Sequence, residues 1–166
     1  NDILIGGNGG DVIDSGSGND RVFGDFINQN GVINGNNSDI IYAGSGNDIV
    51  CGGTGDDWLY GEDGVDQIWG NDGNDRLWGG QDTDYLEGGA GNDTFVLGIG
   101  EGTDIIQDFQ INQDAIALKD GLTYLGLTIS QVNEDVSIIN NSSSEVLAIL
   151  NDVNAADLKY DSFTRF

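Results

Sequence analysis

Apolar residues recur at every ninth position over most of the first 96 residues of the chain. In each nine-residue unit the eighth position is apolar, and its two neighbours are mixed, so that only the middle one of three residues is reliably apolar. This pattern favours a very short strand whose central side chain points inward while its neighbours point outward. The apolar positions are Leu4, Ile13, Val22, Ile41, Val50, Leu59, Ile68, Leu77, Leu86 and Phe95.

The six residues before each short strand are rich in Gly, Asn and Asp and predict a tight turn. The units follow the pattern G-G-x-G-x-D-x-U-x, in which U is apolar, as in residues 88–96. Glycine is favoured here because it adopts positive φ and because it lets backbone carbonyl groups approach one another without interference from Cβ. Asp suits turns in any solenoid, but the sixth position is Asp in all ten regular units, which favours a ligand role: Asp2, Asp11, Asp20, Asp39, Asp48, Asp57, Asp66, Asp75, Asp84 and Asp93.

A nonapeptide of this kind is the repeat of calcium-binding β-helices, and residues 2–96 resemble the RTX, or haemolysin-type calcium-binding, family of bacterial, including cyanobacterial, proteins. The resemblance implies an all-β fold, a right-handed parallel β-roll in which two nonapeptides form one coil and residues 18 apart stack. It also implies several Ca²⁺ ions between such turns, bound by the sixth-position Asp side chains, with Asp57 paired to Asp75 and Asp66 to Asp84.

The same resemblance implies that backbone carbonyl groups of the first four positions of each unit complete the calcium sites. The glycines expected to contribute are Gly7, Gly9, Gly16, Gly18, Gly44, Gly46, Gly53, Gly55, Gly64, Gly73, Gly80, Gly89 and Gly91.

One irregularity interrupts the repeat, because Asp20 and Asp39 are separated by two repeats plus one residue. A degenerate turn near residues 25–33 would place Asn30 at position six and Val32 at position eight, and it would keep Asp20 and Asp39 on the same side of the roll. The alternative is a ten-residue surface loop with no coil. We favour the degenerate turn and expect weak metal binding at Asn30, since an amide brings no charge.

The charge balance points to cations as ligands. The chain has 29 acidic and 5 basic residues, a formal net charge of −24. Self-repulsion opposes compaction without counterions, and such a polyanion is a poor partner for nucleic acid or anionic membranes. With no His and a single Cys, the available ligands are hard oxygens, which suit Ca²⁺ better than Zn²⁺ or Cu²⁺ and, in flexible turns, better than Mg²⁺. We expect a roll that folds on binding Ca²⁺.

The composition changes near residue 98, after which only 4 of the 28 glycines remain and the nine-residue period stops. We therefore divide the chain into a β-roll, residues 1–98, and a mainly β C-terminal capping segment, residues 99–166. Stretches with β-branched residues and partial alternation predict strands in this segment. Asp104, Asp108 and Asp114 are either a further calcium site at the junction or solvated surface carboxylates.

No catalytic machinery is evident from the sequence, and we predict no enzymatic activity. The absence of His removes serine triads and zinc-protease motifs, and it leaves Cys51 without an obvious base. A lone cysteine also excludes an internal disulfide, and no apolar run is long enough for a membrane span. The chain starts without Met inside a repeat, which suggests a piece of a longer protein.

We expect a structural calcium-binding module of a secreted or cell-surface protein, which folds on binding Ca²⁺ outside the cell and thereby aids export by a type I machinery. The alternative is a calcium-dependent carbohydrate-binding module of a polysaccharide-modifying enzyme, and a polysaccharide or a neighbouring domain is then the partner. If the degenerate turn forms, an outward stripe of Phe23, Tyr42, Tyr60 and Trp78 lies on one sheet, either as a platform for sugar rings or as ordinary cross-strand packing.

Overall fold

The strands of the protein are short, and nearly all of them belong to two sheets. The computed structural model describes residues 1–27, 33–34 and 37–165. In chain order the strands are β1 (Ile3–Gly7), β2 (Val12–Asp14), β3 (Arg21–Ile27), β4 (Ile33–Asn34), β5 (Ile40–Tyr42), β6 (Ile49–Thr54), β7 (Trp58–Asp63), β8 (Gln67–Asp72), β9 (Arg76–Gln81), β10 (Tyr85–Ala90), β11 (Thr94–Leu97), β12 (Asp104–Ile106), β13 (Ala115–Leu118), β14 (Leu127–Val132), β15 (Asp135–Asn140), β16 (Val146–Leu150) and β17 (Phe163–Arg165). Two 3₁₀ turns cover Tyr124–Gly126 and Tyr160–Ser162.

From β1 to β13, successive strands alternate between the two sheets except that β4 pairs antiparallel with β3, and this alternation makes the fold a parallel β-roll. One sheet runs in the order β1-β3-β6-β8-β10-β12 and continues into β16-β15-β14, and the other runs β2-β5-β7-β9-β11-β13-β17. Within the regular repeats, Gln67 pairs with Tyr85 and Trp58 with Arg76, so that residues 18 apart stack. Two nonapeptides therefore form one coil, as predicted.

The core lies between the two sheets and is built from the eighth position of each unit. From Val22 to Phe95 these side chains are fully buried, Ile13 is nearly so, and Leu4 at the first coil is only partly buried. The seventh position faces solvent, as at Trp58, because successive side chains of a strand point to opposite faces. Within the repeats the core is therefore built from aliphatic and aromatic side chains, and it continues into buried side chains of the C-terminal segment.

The predicted degenerate turn between Asp20 and Asp39 is wrong. Val22 pairs with Val50 in one sheet, and Ile13 pairs with Ile41 in the other. Both registers span ten residues more than a regular coil, so Asp20 and Asp39 lie on opposite sheets.

The ten extra residues fall within one turn of the roll. Asn37 N–H donates to Thr54 O. Gly55, which is at position four of its unit, makes the equivalent bond one coil later, because its N–H donates to Asp72 O. Asn37 is thus the fourth position of a unit that starts at Gly24, and the insertion lies between Asp25 and Asn37. Within the insertion, the described strand β4 pairs antiparallel with the end of β3. Asn30 lies outside the described residues.

The corrected register also changes the aromatic stripe. Phe23 pairs with Cys51, whereas Tyr42, Tyr60 and Trp78 follow one another on the other sheet. The stripe therefore has three members.

The C-terminal segment extends both sheets before it closes one of them with antiparallel strands. β12 pairs in parallel with β10, and β13 with β11. β16 and β17 follow as further parallel neighbours, after which β16, β15 and β14 form an antiparallel meander. The boundary near residue 98 stays a prediction, and strand pairing runs across it. In the described part of the chain, no helix has the length and apolar character that crossing a membrane requires.

Candidate calcium-binding turns

The sixth-position Asp residues precede the strands and form two buried rows along the roll. Asp2 is exposed and Asp11 partly exposed, both in the first coil. The other members are at most 1% exposed although each is a charged residue type: Asp20, Asp39, Asp48, Asp57, Asp66, Asp75, Asp84 and Asp93. Burial of this many carboxylates without a counter-charge is costly.

One carboxylate oxygen of each buried Asp accepts a hydrogen bond from the backbone of the preceding coil. Asp57 N–H donates to Asp75 Oδ1, and Asp66 N–H donates to Asp84 Oδ1, each at 2.8 Å. The same bond joins Asp39 to Asp57 and Asp48 to Asp66. The structure therefore places in contact the Asp pairs that the resemblance implied.

The other carboxylate oxygen, Oδ2, is buried and has no hydrogen-bond partner. This holds for Asp11, Asp20, Asp39, Asp48, Asp57, Asp66, Asp75, Asp84 and Asp93. A buried acceptor without a donor costs on the order of 1–3 kcal/mol, and more when it is charged. The repetition of the same unsatisfied atom in coil after coil indicates that a cation completes its environment.

Glycine at the first position of most units makes room for these oxygens. A Cβ atom at Gly52 would collide with Asp57 Oδ2 and would lie 3.0 Å from the carbonyl oxygen of Gly70 in the next coil. At Gly70 the corresponding atoms are Asp75 Oδ2 and the carbonyl oxygen of Gly88. A carboxylate oxygen and a carbonyl oxygen therefore converge beside these two glycines.

The resemblance placed carbonyl groups of positions one to four at the calcium sites, but the glycines named there belong to positions two and four. Gly52, Gly61, Gly70 and Gly88 at position one do not have positive φ, so backbone conformation does not require glycine there. The close approach of oxygen atoms favours glycine instead. The available signal was that glycine opens most units even where the second position is another residue, as at Glu62.

The glycines predicted from the resemblance occupy the turns themselves. All thirteen have positive φ, between 85° and 148°. At position four a Cβ would also collide with the carbonyl oxygen of the coil before it, as at Gly73 with Gly55 and at Gly91 with Gly73. These carbonyl groups thus stack along the roll, and their role as metal ligands stays a prediction.

Burial shifts the titration of the two Asp rows. Desolvation raises the pKa of Asp57 to about 8 and that of Asp66 and Asp75 to about 7, helped by neighbouring carboxylates and opposed by the backbone hydrogen bond. The pKa of Asp84 and of Asp93 rises to about 6 for the same leading reason. Without a cation the ionised rows are therefore disfavoured near neutral pH, and a bound cation reverses this preference.

The first coil differs electrostatically from the middle of the roll. The pKa of Asp20 is lowered, chiefly because the backbone N–H of Asp2 donates to its carboxylate.

The donor set fits a hard cation. Among the described residues no three Asp, Glu, His or Cys side chains form a cluster that could hold a metal by themselves. A metal in these turns would therefore combine one or two carboxylates with backbone carbonyl oxygens, and Ca²⁺ accepts such a mixture of six to eight oxygens.

The junction carboxylates do not form one site. Asp114 continues one row, since Asp93 N–H donates to its Oδ1 at 3.0 Å, and Gln110 N–H donates to its Oδ2 at 2.7 Å. Asp108 accepts the backbone N–H groups of Gly88 and Gly89. Asp104 lies at the end of the other row, beside Asp84.

Comparison with protein families identifies the family to which the repeats belong. The family of RTX calcium-binding nonapeptide repeats matches in four copies, over residues 1–26, 35–59, 60–95 and 69–106, which together cover more than half of the chain. The chain belongs to this family, and its repeats are of the calcium-binding kind. Comparison with curated protein sequences finds no match.

Solved structures similar to the chain include two subunits of the Azotobacter vinelandii mannuronan C5-epimerase. The AlgE6R3 subunit is 27% identical over 76% of this chain and 77% of that one, with a TM-score of 0.42. The AlgE6R2 subunit is 26% identical over 70% of this chain and 91% of that one, with a TM-score of 0.48. The extracellular lipase LipA from Serratia marcescens is 16% identical over 99% of this chain and 40% of the lipase, with a TM-score of 0.43.

Proposed function

We propose that the chain is a structural calcium-binding module of a secreted protein and that it folds when Ca²⁺ binds outside the cell. The observation that carries this proposal is the buried, unpartnered Oδ2 atom that recurs through both Asp rows. Each such atom favours unfolding until a cation reaches it. Calcium binding and folding are then a single process, since no isolated turn holds a complete site.

The expected size of this coupling is large. If roughly eight sites each meet Ca²⁺ at about ten times Kd, binding adds on the order of 1.4 kcal/mol per site, or about 11 kcal/mol in total. This equals the stability of an ordinary domain. Neighbouring coils share their Asp residues, and we therefore expect cooperative folding.

Folding that depends on calcium also suits a secreted protein. Extracellular calcium modules bind at about 10⁻⁴ to 10⁻³ M, so a chain of this kind stays unfolded at cytosolic calcium concentrations. An unfolded chain suits passage through a type I exporter, and folding in the extracellular medium would then favour completed export. No catalytic step is assigned to the module.

A carbohydrate-binding role is the alternative, and the aromatic stripe is the feature that bears on it. Tyr42 and Tyr60 stack with ring centroids 4.8 Å apart, and the rings of Tyr60 and Trp78 are 5.5 Å apart. Lys119 Nζ lies over the Trp78 ring at 3.7 Å and pairs with Glu101. Because these rings already contact one another and a cation, the stripe favours sheet stabilisation over an open sugar platform.

A calcium titration of the chelated protein, followed by far-UV circular dichroism, tests the proposal. We expect a cooperative gain of β signal with Ca²⁺ and none with Mg²⁺ at equal concentration. A chain that is fully folded in chelator near pH 8, where the carboxylates are ionised, would overturn calcium-driven folding. A glycan-binding screen in calcium, with Tyr60→Ala as the matched variant, tests the alternative.

A further inference from the structure

The insertion that follows Asp25 separates two residues that regular turns keep close together in the chain. In a regular unit the first-position glycine and the sixth-position Asp are five residues apart, whereas Gly24 and Asp39 are 15 residues apart. A Cβ atom at Gly24 would nevertheless collide with Asp39 Oδ2 and with the carbonyl oxygen of Gly52. The interrupted turn thus brings together the same kinds of oxygen atom as the uninterrupted ones.

Backbone pairing between neighbouring coils ends early at this turn. In the next coil the parallel register continues as far as Thr54, which pairs with Asp72. Between β3 and β6 the register ends at Phe23, which pairs with Cys51, and the end of β3 pairs antiparallel with β4 instead. The parallel pairing of β3 therefore does not continue as far as Thr54.

The side chain of Asp25 takes the place of this part of the ladder. Asp25 is 3% exposed, and its Oδ2 accepts the backbone N–H of Thr54 at 2.9 Å and the Thr54 hydroxyl at 2.8 Å. Asn37 Nδ2 lies 3.4 Å from Asp25 Oδ1, and Asn37 N–H donates to Thr54 O. Asp25 and Asn37, at the two ends of the insertion, are therefore held to the same residue of the next coil and to each other.

Asp25 is buried like the sixth-position Asp residues, but its surroundings differ from theirs. A Cβ atom at Gly53 would meet the side chain of Asp25, whereas at Gly80, in a regular coil, it would meet the backbone carbonyl oxygen of Glu62. Donors face both carboxylate oxygens of Asp25. Desolvation raises the pKa of Asp39, and the negative charge of Asp25 adds to this rise. The charge of Asp25 thus also acts on the candidate calcium position.

We propose that Asp25 is a positioning residue, which keeps the calcium-binding turn in register across the insertion. Its contact with Thr54 fixes Gly24, the residue before it, and the contact of Asn37 with Thr54 fixes Asp39 two residues later. Both Gly24 and Asp39 thus keep the positions that they would have in a continuous turn. The inference rests on the proposed calcium binding, and it adds to that function a residue outside the nonapeptide pattern.

Asp25→Gly tests the proposal in two chains, because glycine is the usual residue at the second position. In the full chain D25G removes the contact with Thr54, and we expect at least one ion fewer by native mass spectrometry at saturating Ca²⁺ and a Tm in calcium lower by about 5 °C. In a chain that lacks residues 27–36 the turn is continuous, so D25G should change neither quantity. An unchanged ion count in the full chain, or an equal loss in both chains, would overturn the positioning role.

Thr54 offers a milder test that does not depend on whether D25G folds. Thr54→Val keeps the shape of the side chain and removes its hydroxyl donor, whereas Thr54→Ser retains the donor. We expect T54V to reach its full ion count only at higher calcium concentration than T54S. Equal calcium requirements of T54V and T54S would contradict the role of this contact. If the unsubstituted protein bound no Ca²⁺ at all, the proposed function would fail instead, and the two failures are therefore distinguishable.

Discussion

A regular coil and the last parallel coil bury the same kind of carboxylate but satisfy it differently. Asp75 accepts one backbone N–H, from Asp57, and its second oxygen is left without a donor. Asp114, at the corresponding place after β11, accepts N–H groups from Asp93 and from Gln110, one on each oxygen. The turn before Asp114 is not a nonapeptide turn and supplies the second donor itself. Protein donors thus replace the cation where the repeat ends.

This difference predicts that the turn closed by Asp114 depends less on calcium than the regular turns do. A repeat whose coils each leave one carboxylate oxygen without a donor needs an external ligand in every coil, so that ligand can control its folding. The turn before Asp114 supplies backbone donors of its own, and we expect it to stay in place when calcium falls.

A change of pH should have the largest effect on the folding of the chelated protein. Desolvation places the folded-state pKa of Asp57 at about 8 and that of Asp75 at about 7, whereas an unfolded Asp titrates near 3.9. The folded state thus binds more protons between about pH 4 and pH 8, so stability falls as pH rises through this window. We expect β signal near pH 5 in chelator and its loss near pH 8. In excess Ca²⁺ the dependence should reverse, because protons then compete with the ion.

Circular dichroism against pH, with and without chelator, measures this effect. The pKa of Asp20 is lowered, so this residue contributes to the pH dependence of stability with the opposite sign. It is a single residue, whereas several Asp residues have a raised pKa. A chelated chain whose β signal grows with rising pH would contradict the assignment of unsatisfied carboxylates.

Gly70→Ala should have the next largest effect, because it fills the space beside a buried carboxylate without requiring a positive φ. The added Cβ would collide with Asp75 Oδ2 and contact the carbonyl oxygen of Gly88, both of which face the candidate calcium position. We expect a loss of about 3 kcal/mol in calcium, at the upper end for single substitutions. Denaturant unfolding measures it, and Gly126→Ala, whose Cβ would lie 3.6 Å from its nearest neighbour, is the control. Equal effects at both positions would argue against the crowding of oxygens.

The pair Asp75→Asn and Asp114→Asn tests the contrast itself. D75N removes a buried charge, so it should stabilise the protein in chelator and destabilise it in calcium. D114N turns one acceptor into an amide donor and loses a backbone hydrogen bond under both conditions, at about 1–3 kcal/mol. Thermal unfolding of both variants, with and without Ca²⁺, should therefore show a change of sign for D75N only. The same sign for D75N in both conditions would remove the distinction between the two kinds of coil.

Deletion of residues 27–36 should have the smallest effect. Removing these ten residues restores the 18-residue spacing and leaves Gly24 and Asp39 at the first and sixth positions of one unit. The deletion removes β4 and the end of β3, which pair with each other in an antiparallel ladder, and shortening an insertion of this kind changes stability by about 1 kcal/mol or less. A calcium titration of the deleted chain should show the same cooperativity as the full chain. A lost calcium site would instead support a coil in this stretch.

Much of the fold could be predicted because the repeat reports the same physical requirement ten times. The apolar eighth position, with Leu59 and Leu77 as examples, predicted inward-facing strand centres, and burial confirms them. The register of the insertion could not be predicted, because a spacing of two repeats plus one residue is compatible with a degenerate coil or with a loop. The pairing of Val22 with Val50 decided between them.

By itself the sequence determined the nine-residue period, the inward-facing eighth position and the recurring sixth-position Asp, since each follows from local patterns that repeat along the chain, whereas two nonapeptides per coil was implied by the family resemblance. Only the tertiary structure decided which carboxylate oxygens have donors. Asp75, Asp104 and Asp114 are the same residue type in similar acidic surroundings, yet they end with different partners. The reason is that the partner of each oxygen comes from a neighbouring coil, whose position depends on strand pairing across about 20 residues.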